Sequence, residues 1–352
     1  MIDFSIFKNK RVLLTGHTGF KGSWLLAILE KSGAKVHGLA LPPGDHSHIA
    51  KLGFKRGEED YIDIRDYQRV ETTVGDFDPE IIFHLAAQPI VRQSFLEPRE
   101  TFETNFMGGV NILEASRKAR SLRAIVFITS DKAYENVEWE WGYRENDTLG
   151  GRDPYSASKG AVELAVSSYR RSILDTNHDL SVSTARAGNV IGGGDWAADR
   201  IVPDIIRSIQ SDGVAKIRNP DSTRPWQHVL EPLSGYLLLA QRMIEAEAEI
   251  LDSYNFGPDV SESKTVLDLA QGIVNAYGKG SIEVPANTLE FHEANLLQLN
   301  CERAKQSLGW FPRWGFEKTV SETAGWYEKS SRVSDVRALT DSQILDYFWE
   351  LR

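Results

Sequence analysis

Along the first half of the chain, short solid apolar runs alternate with longer runs whose apolar positions recur at helical spacing. RVLLT (11–15), KVHGLAL (35–41), EIIFHLAA (80–87) and AIVFITS (124–130) are short and apolar, and each predicts a buried strand. Between them GSWLLAILEKSG (22–33) predicts a helix closed by Gly33, and NFMGGVNILEASRKA (105–119) predicts another. Strands alternating with helices imply βαβ units, hence a doubly wound parallel sheet with helices on both faces. After residue 186 the pattern loosens. GNVIGGGDWAADR reads as a glycine-rich loop, IVPDIIRSIQS as a helix and DSTRPWQHVLE as irregular chain. PLSGYLLLAQRMIEAEAE (232–249) is helical again, YNFGP (254–258) reads as a short strand and turn, and the segment from about Ser331 is helical.

Composition narrows the class. The 352 residues suffice for two domains, or one large domain with an appended lobe. With 41% hydrophobic and 26% charged residues the chain fits a soluble globular protein. The single cysteine, Cys301, excludes an internal disulfide and points to a reducing cytoplasm. A net charge of −10 argues against general affinity for nucleic acid. No signal peptide is expected, and no apolar run reaches the ~18 residues that would cross a bilayer. His46 and His48 read as members of a solvated loop, and no metal site is expected.

The turn between the first strand and first helix, LLTGHTGFKGSWLL, carries Gly16, Gly19 and Gly22. One glycine lets the chain reverse, one lets a pyrophosphate approach the backbone, and one lets helix pack on strand. The helix N-terminus then offers N–H groups and partial positive charge to a diphosphate. This reads as a Rossmann-like dinucleotide domain over 1–186, also receiving about 229–257. A smaller substrate lobe is expected from 187–228 and 258–352. The ribose-binding acid that usually ends the second strand is missing, Ala40 standing near its place, and no arginine follows for a 2′-phosphate. NAD is therefore expected rather than NADP. Asp63 in DIRD could hold the adenine edge, or the motif could be a solvated helix cap.

Tyr155 and Lys159 in DPYSASKG are i and i+4, so on a helix they share a face. A nearby ammonium and a positive nicotinamide would draw the phenol pKa down from about 10. In ITSDKAY, Asp131 and Lys132 end an apolar strand. They form either a surface ion pair or a proton donor and acceptor at the mouth of a cofactor site.

The motifs TGHTGFKG, HLAAQ, TNFMGGVNILEA, TSDKAY, YSASK, GNVIGGG, RPWQHVLE and LGWFP span nearly the whole chain. Together they resemble the extended short-chain dehydrogenase/reductase family of sugar-nucleotide enzymes. TGHTGFKGSWL, SDKAYEN and GNVIGGGDW are most like its 4,6-dehydratases that act on CDP-glucose. The resemblance implies NAD held by Gly16, His17, Thr18, Gly19, Phe20, Lys21 and Gly22, by Asp63 and Ile64, and by Leu85, Ala86, Ala87 and Gln88. Asn105, Thr129, Tyr155 and Lys159 complete that set. It further implies a nucleotide sugar in the second lobe, contacted by Asn189, Arg200, Arg224 and His292. A homodimer through helices near 104–119 and 156–173, or a tetramer built from it, is implied as well.

The same resemblance implies a catalytic set of Ser130, Asp131, Lys132, Tyr155 and Lys159. Tyr155 would take the 4-hydroxyl proton, sharing that group with Ser130, as hydride leaves carbon 4. Asp131, kept protonated by burial, would donate to the departing 6-hydroxyl. Lys132 would remove the carbon-5 hydrogen where related enzymes use Glu, provided burial and Lys159 lower its pKa. A 4-epimerase or reductase, or a non-catalytic dinucleotide sensor, are the other activities this scaffold supports.

Overall fold

Every apolar run of the first half becomes a strand in one seven-stranded parallel sheet. The computed structural model describes residues 2–53, 58–174, 180–217, 219–245, 250, 252–285 and 296–349. Strands β1 (Arg11–Thr15), β2 (Lys35–Ala40), β3 (Glu59–Tyr61), β4 (Ile81–His84), β5 (Ala124–Ile128) and β6 (Ser181–Arg186) are joined by Ser253–Asn255. Their order is Ser253–Asn255, β6, β5, β4, β1, β2, β3. Thr15 pairs with His84, His84 with Phe127, and Phe127 with Thr184, so the carboxyl ends of four strands finish side by side.

Alternation along the strands sends side chains to two separate cores. Val12, Leu14, Phe83 and Val126 pack with α1 (Phe20–Lys31) on one face. Beyond α1 the chain runs through α2 (His48–Leu52), α3 (Tyr67–Phe77), α4 (Val91–Leu96), α5 (Pro98–Phe102), α6 (Gly108–Ser116) and α7 (Pro154–Ser172). Leu13, Ile82, Ile125 and Phe127 face the opposite way, against Val70 of α3, Ile112 of α6 and Val162 of α7. The doubly wound α/β expectation holds.

The second half supplies α8 (Ile201–Ser211), α9 (Leu230–Glu245), α10 (Val266–Tyr277), α11 (Phe316–Ser330) and α12 (Val336–Trp349). Leu233 and Leu237 of α9 join the same core as α1. Three further strand pairs, each of two or three residues, stitch the lobe together. Two draw strands from segments read as loop or irregular chain: Val190–Ile191 pairs with Gln227–His228, and Thr223–Arg224 with Lys264–Thr265. Pairs this short carry no alternation for a sequence to display. The predicted helix from residue 105 is also split: a π-turn, Glu103–Met107, precedes α6. Among the described residues no helix is long and apolar enough to cross a membrane.

The buried carboxylate of Glu231 fastens α12 to α9. It accepts from the backbone N–H groups of Arg313 and Trp314 and from the Tyr347 hydroxyl at 2.8 Å. Burial pushes its pKa up to about 7, against those hydrogen bonds. A carboxyl raised in the folded state binds more protons there than in the unfolded chain, so its contribution to stability falls as pH rises from about 4.5 to about 7. Urea unfolding at pH 5 and pH 7 should therefore show wild type losing stability relative to Glu231→Gln as pH rises. An unchanged difference would mean that Glu231 ionises as freely in the folded state.

Candidate active site

The glycine turn has no room for side chains. Gly16 has φ +72°, and a Cβ there would lie 2.7 Å from the Ala86 nitrogen. A Cβ on Gly22 would lie 2.1 Å from the Gly16 carbonyl oxygen. Helix α1 thus starts hard against the end of β1, with Gly19 as its N-cap and no side chain occupying the cap. The first N–H groups of the helix are left for an anion.

This turn forms one wall of a cavity of about 460 Å³ at the crevice where strand order reverses between β1 and β4. Thr18, Phe20 and Lys21 line it together with the three glycines. Leu85, Ala86, Ala87 and Gln88 line it from the end of β4. Thr129, Ser130, Tyr155, Lys159 and Arg200 form the far wall, and Asp63 and Ile64 lie at the other end. His17 points elsewhere: its ring is buried under Gly38 and its Nε2 lies 3.0 Å from Glu59. Asn105 sits behind the wall, accepting from the Gln88 N–H and donating to Ser158 Oγ.

At the Ala40 end the two acids of DIRD separate. Asp63 lines the cavity, while Asp66 caps α3 by accepting from Arg69 N–H. Contrary to expectation, an arginine does reach this end. Arg65 comes from the loop after β3, which strand spacing after β2 could not reveal. It is engaged by Asp63 at 2.6 Å and Glu100 at 3.4 Å, and the Arg65 guanidinium holds the Asp63 carboxyl below its usual range. A cation so neutralised offers little to a 2′-phosphate.

At the other end, Tyr155 and Lys159 share one face of α7, as their spacing predicts. Lys159 Nζ is 6.0 Å from the phenol ring centre. Burial pushes Tyr155 up to about 12, with the Ser130 hydroxyl drawing it back. In the protein alone desolvation outweighs the Ser130 hydrogen bond and the Arg200 charge. Burial also pushes Lys159 down to about 8 and Lys21 to about 7, the latter helped by Arg200 and Lys159.

Asp131 is not a surface residue. It is 2% exposed, sealed beneath Gly188, where an added Cβ would sit 1.8 Å from its carboxylate. Ser130 Oγ donates to one oxygen at 2.9 Å and Asn189 Nδ2 to the other at 3.3 Å. Asn189 reaches it from a left-handed backbone, φ 53°. Lys132, expected to be buried, is half-buried and does not line the cavity, because the one-turn 3₁₀ helix Asp131–Ala133 carries it away. Arg200 is held by Asp195 at 2.9 Å. Arg224 lies in the strand pair of the second lobe, away from the cavity. His292 lies outside the described residues. His46 is exposed as expected, but His48 is buried, bonded to Ser23 at 2.8 Å and Thr340 at 2.9 Å.

Sequence reasoning missed Glu163 and Arg186. Glu163 stands at i+4 from Lys159, and Arg186 ends an otherwise uncharged strand; both are buried behind the far wall. A charge inside a buried strand was the available signal.

Fold and cavity together define a dinucleotide-dependent enzyme of the short-chain dehydrogenase/reductase type. The chain belongs to the GDP-mannose 4,6 dehydratase family, whose model matches residues 13–323. It is 45% identical over 353 residues to the CDP-glucose 4,6-dehydratase of Salmonella typhimurium, covering 99% of this chain and 98% of that protein. Among solved structures it is similar to the UDP-glucose 4-epimerase of Thermus thermophilus in complex with NAD (TM-score 0.75, 25% identity, 92% of this chain and 100% of that one). The dTDP-glucose 4,6-dehydratase of Bacillus anthracis, also with NAD, shares the fold (TM-score 0.75, 21% identity, 91% and 97% covered).

Gly22→Ala should weaken NAD binding at least about tenfold and cost about 1–3 kcal/mol of stability, since the intruding methyl must separate α1 from β1. Gly325→Ala, with nothing within 4 Å of the added atom, is the control and should leave binding unchanged. Calorimetric titration with NAD and thermal unfolding measure both. Equal binding by the two variants would show that the turn tolerates a side chain.

Proposed function

We propose that this chain dehydrates CDP-glucose to CDP-4-keto-6-deoxyglucose with NAD as cofactor. Carbon 4 is oxidised, water is lost across carbons 5 and 6, and hydride returns to carbon 6. The observation that carries this reading is that Ser130, Tyr155 and Lys159 face the glycine turn across one cavity, with Asp131 sealed directly behind Ser130. The identity to the Salmonella enzyme supports the cytidine nucleotide, and the neutralised Arg65 supports NAD.

The chain's own groups divide the work. Bound NAD supplies the hydride acceptor and a positive ring whose charge favours the Tyr155 phenolate. Tyr155 receives the 4-hydroxyl proton while Ser130 holds that oxygen. Asp131, directly behind Ser130, is assigned the proton for the departing 6-hydroxyl, and Lys132, although outside the cavity lining, is assigned the carbon-5 hydrogen by its position after Asp131. Arg200 meets the diphosphate, and Asn189, Arg224 and His292 complete the sugar-nucleotide contacts. Residues 1–186 with about 229–257 hold the cofactor, and 187–228 with 258–352 the substrate. The reaction belongs to the cytoplasm, in keeping with a lone buried thiol, Cys301.

The exposed apolar side chains of Phe95, Leu96, Phe102, Met107 and Leu164 lie on α4, α5, the π-turn and α7. We assign this face to a homodimer. Sedimentation of Leu164→Glu should give a lighter species than wild type, and an unaltered coefficient would move the interface elsewhere.

Incubated with CDP-glucose and NAD, the enzyme should form a 4-keto-6-deoxy sugar without accumulating NADH. Net NADH production would instead mark an ordinary dehydrogenase, and a 4-epimer an epimerase. Tyr155→Phe should lower kcat about 10²–10⁴-fold. Lys132→Gln should abolish solvent exchange at carbon 5 and leave NAD binding intact; undiminished exchange would take Lys132 out of the mechanism.

A further inference from the structure

Behind the cavity wall lies a buried carboxylate that the reaction scheme does not use. Glu163 is 4% exposed and stands one helical turn beyond Lys159 on α7. Its two oxygens take four hydrogen bonds from two strands. Thr129 Oγ1 at the end of β5 donates one, and Thr184 Oγ1 on β6 donates another at 2.6 Å. Arg186 Nε and Nη2 donate at 2.9 and 2.8 Å, a two-pronged ion pair. Arg186 is 3% exposed and also donates to Tyr134 Oη at 2.7 Å and the Glu145 carbonyl at 3.1 Å.

The location of these contacts gives them meaning. Thr129 immediately precedes Ser130, Arg186 stands two residues before the Gly188 that covers Asp131, and α7 carries Tyr155 and Lys159. One carboxylate thus ties together β5 and α7, which bear the reacting groups, and β6, which leads to the Gly188 cover over Asp131. We propose that Glu163 is a positioning residue that clamps β5 and β6 to α7 and supplies the negative charge behind Lys159 that keeps it an ammonium in the cofactor cavity. The inference rests on the reading of Lys159 as a catalytic-site cation.

The charges around Lys159 support it. Lys21 from α1 and His84 from β4 both feel the Lys159 charge as repulsion. His84 is kept neutral by burial and is hydrogen-bonded to Thr15 at 2.8 Å. Tyr155 lies one turn back on α7, buried and protonated. Burial drives the Lys159 ammonium toward the neutral form, and Glu163 opposes it. The carboxylate is itself held ionised against its own burial, chiefly by Arg186 and then by the two threonines.

The test uses Glu163→Gln and the double variant Glu163→Gln/Arg186→Met, which leaves no unpaired buried charge. Competitive acetylation across pH, read peptide by peptide, reports the Lys159 titration without any substrate. Both variants should titrate Lys159 at least about one pH unit lower than wild type. The alkaline limb of kcat should move down with it, and Glu163→Asp should restore both. A purely structural pair predicts something else: loss of thermal stability in the single variant, recovery in the double, and an unmoved Lys159 titration in each. An unmoved titration overturns the proposal, as does failure of both neutral variants to fold, which would make the pair a stability element. If wild type does not turn over CDP-glucose, the functional reading falls while the acetylation result still decides the role of Glu163.

Discussion

The contact between the Gly22 α-carbon and the Gly16 carbonyl sets the geometry of everything around it. With a Cβ excluded by a 2.1 Å approach, α1 can begin directly on the end of β1. That brings the free N–H groups of its first turn to the sheet's carboxyl edge, level with the ends of β4, β5 and β6. The strand order reverses there, so the connections after β1 and β4 leave on opposite faces and open a crevice between them. Turn, crevice and reacting groups share an edge because the register of four parallel strands ends together.

Within that crevice the chemistry is governed by desolvation. Lys21, Lys159 and Arg200 are basic groups packed close enough that Arg200 and Lys159 raise the cost of charging Lys21, and Asp195 and Glu163 offset them from behind the wall. Removed from water, each charge depends on partners fixed by the fold rather than on solvent. The same desolvation leaves Tyr155 protonated in the protein alone.

The second half of the chain braces this arrangement. Trp24 Nε1 donates to the Gly193 carbonyl at 2.8 Å, and the Tyr327 hydroxyl to the Asp195 carbonyl at 2.5 Å. Asp195 in turn holds Arg200 at the cavity. His48 joins Ser23 of α1 to Thr340 of α12 through its two ring nitrogens. The glycine-rich GNVIGGGDW segment is therefore not a free loop. It is a strap pinned by α1, α2 and the C-terminal helices.

Periodicity and composition by themselves determined the parallel α/β sheet, the glycine turn, the shared face of Tyr155 and Lys159, and the placement of Ser130 at a strand's carboxyl end. These are local properties, written in spacings of two, three or four residues. What depended on residues far apart in the chain only the tertiary structure decided. Examples are Arg65 reaching the Ala40 end of the cavity, Asp131 sealed by Gly188, Lys132 left outside the cavity, and His48 buried between α1 and α12. Glu163 and Arg186 are the clearest case. In sequence they are an ordinary helix acid and a strand-end base 23 positions apart, and only packing converts them into a buried pair. Burial is a property of neighbours brought together by the fold, and it sets both the charge of a side chain and its task.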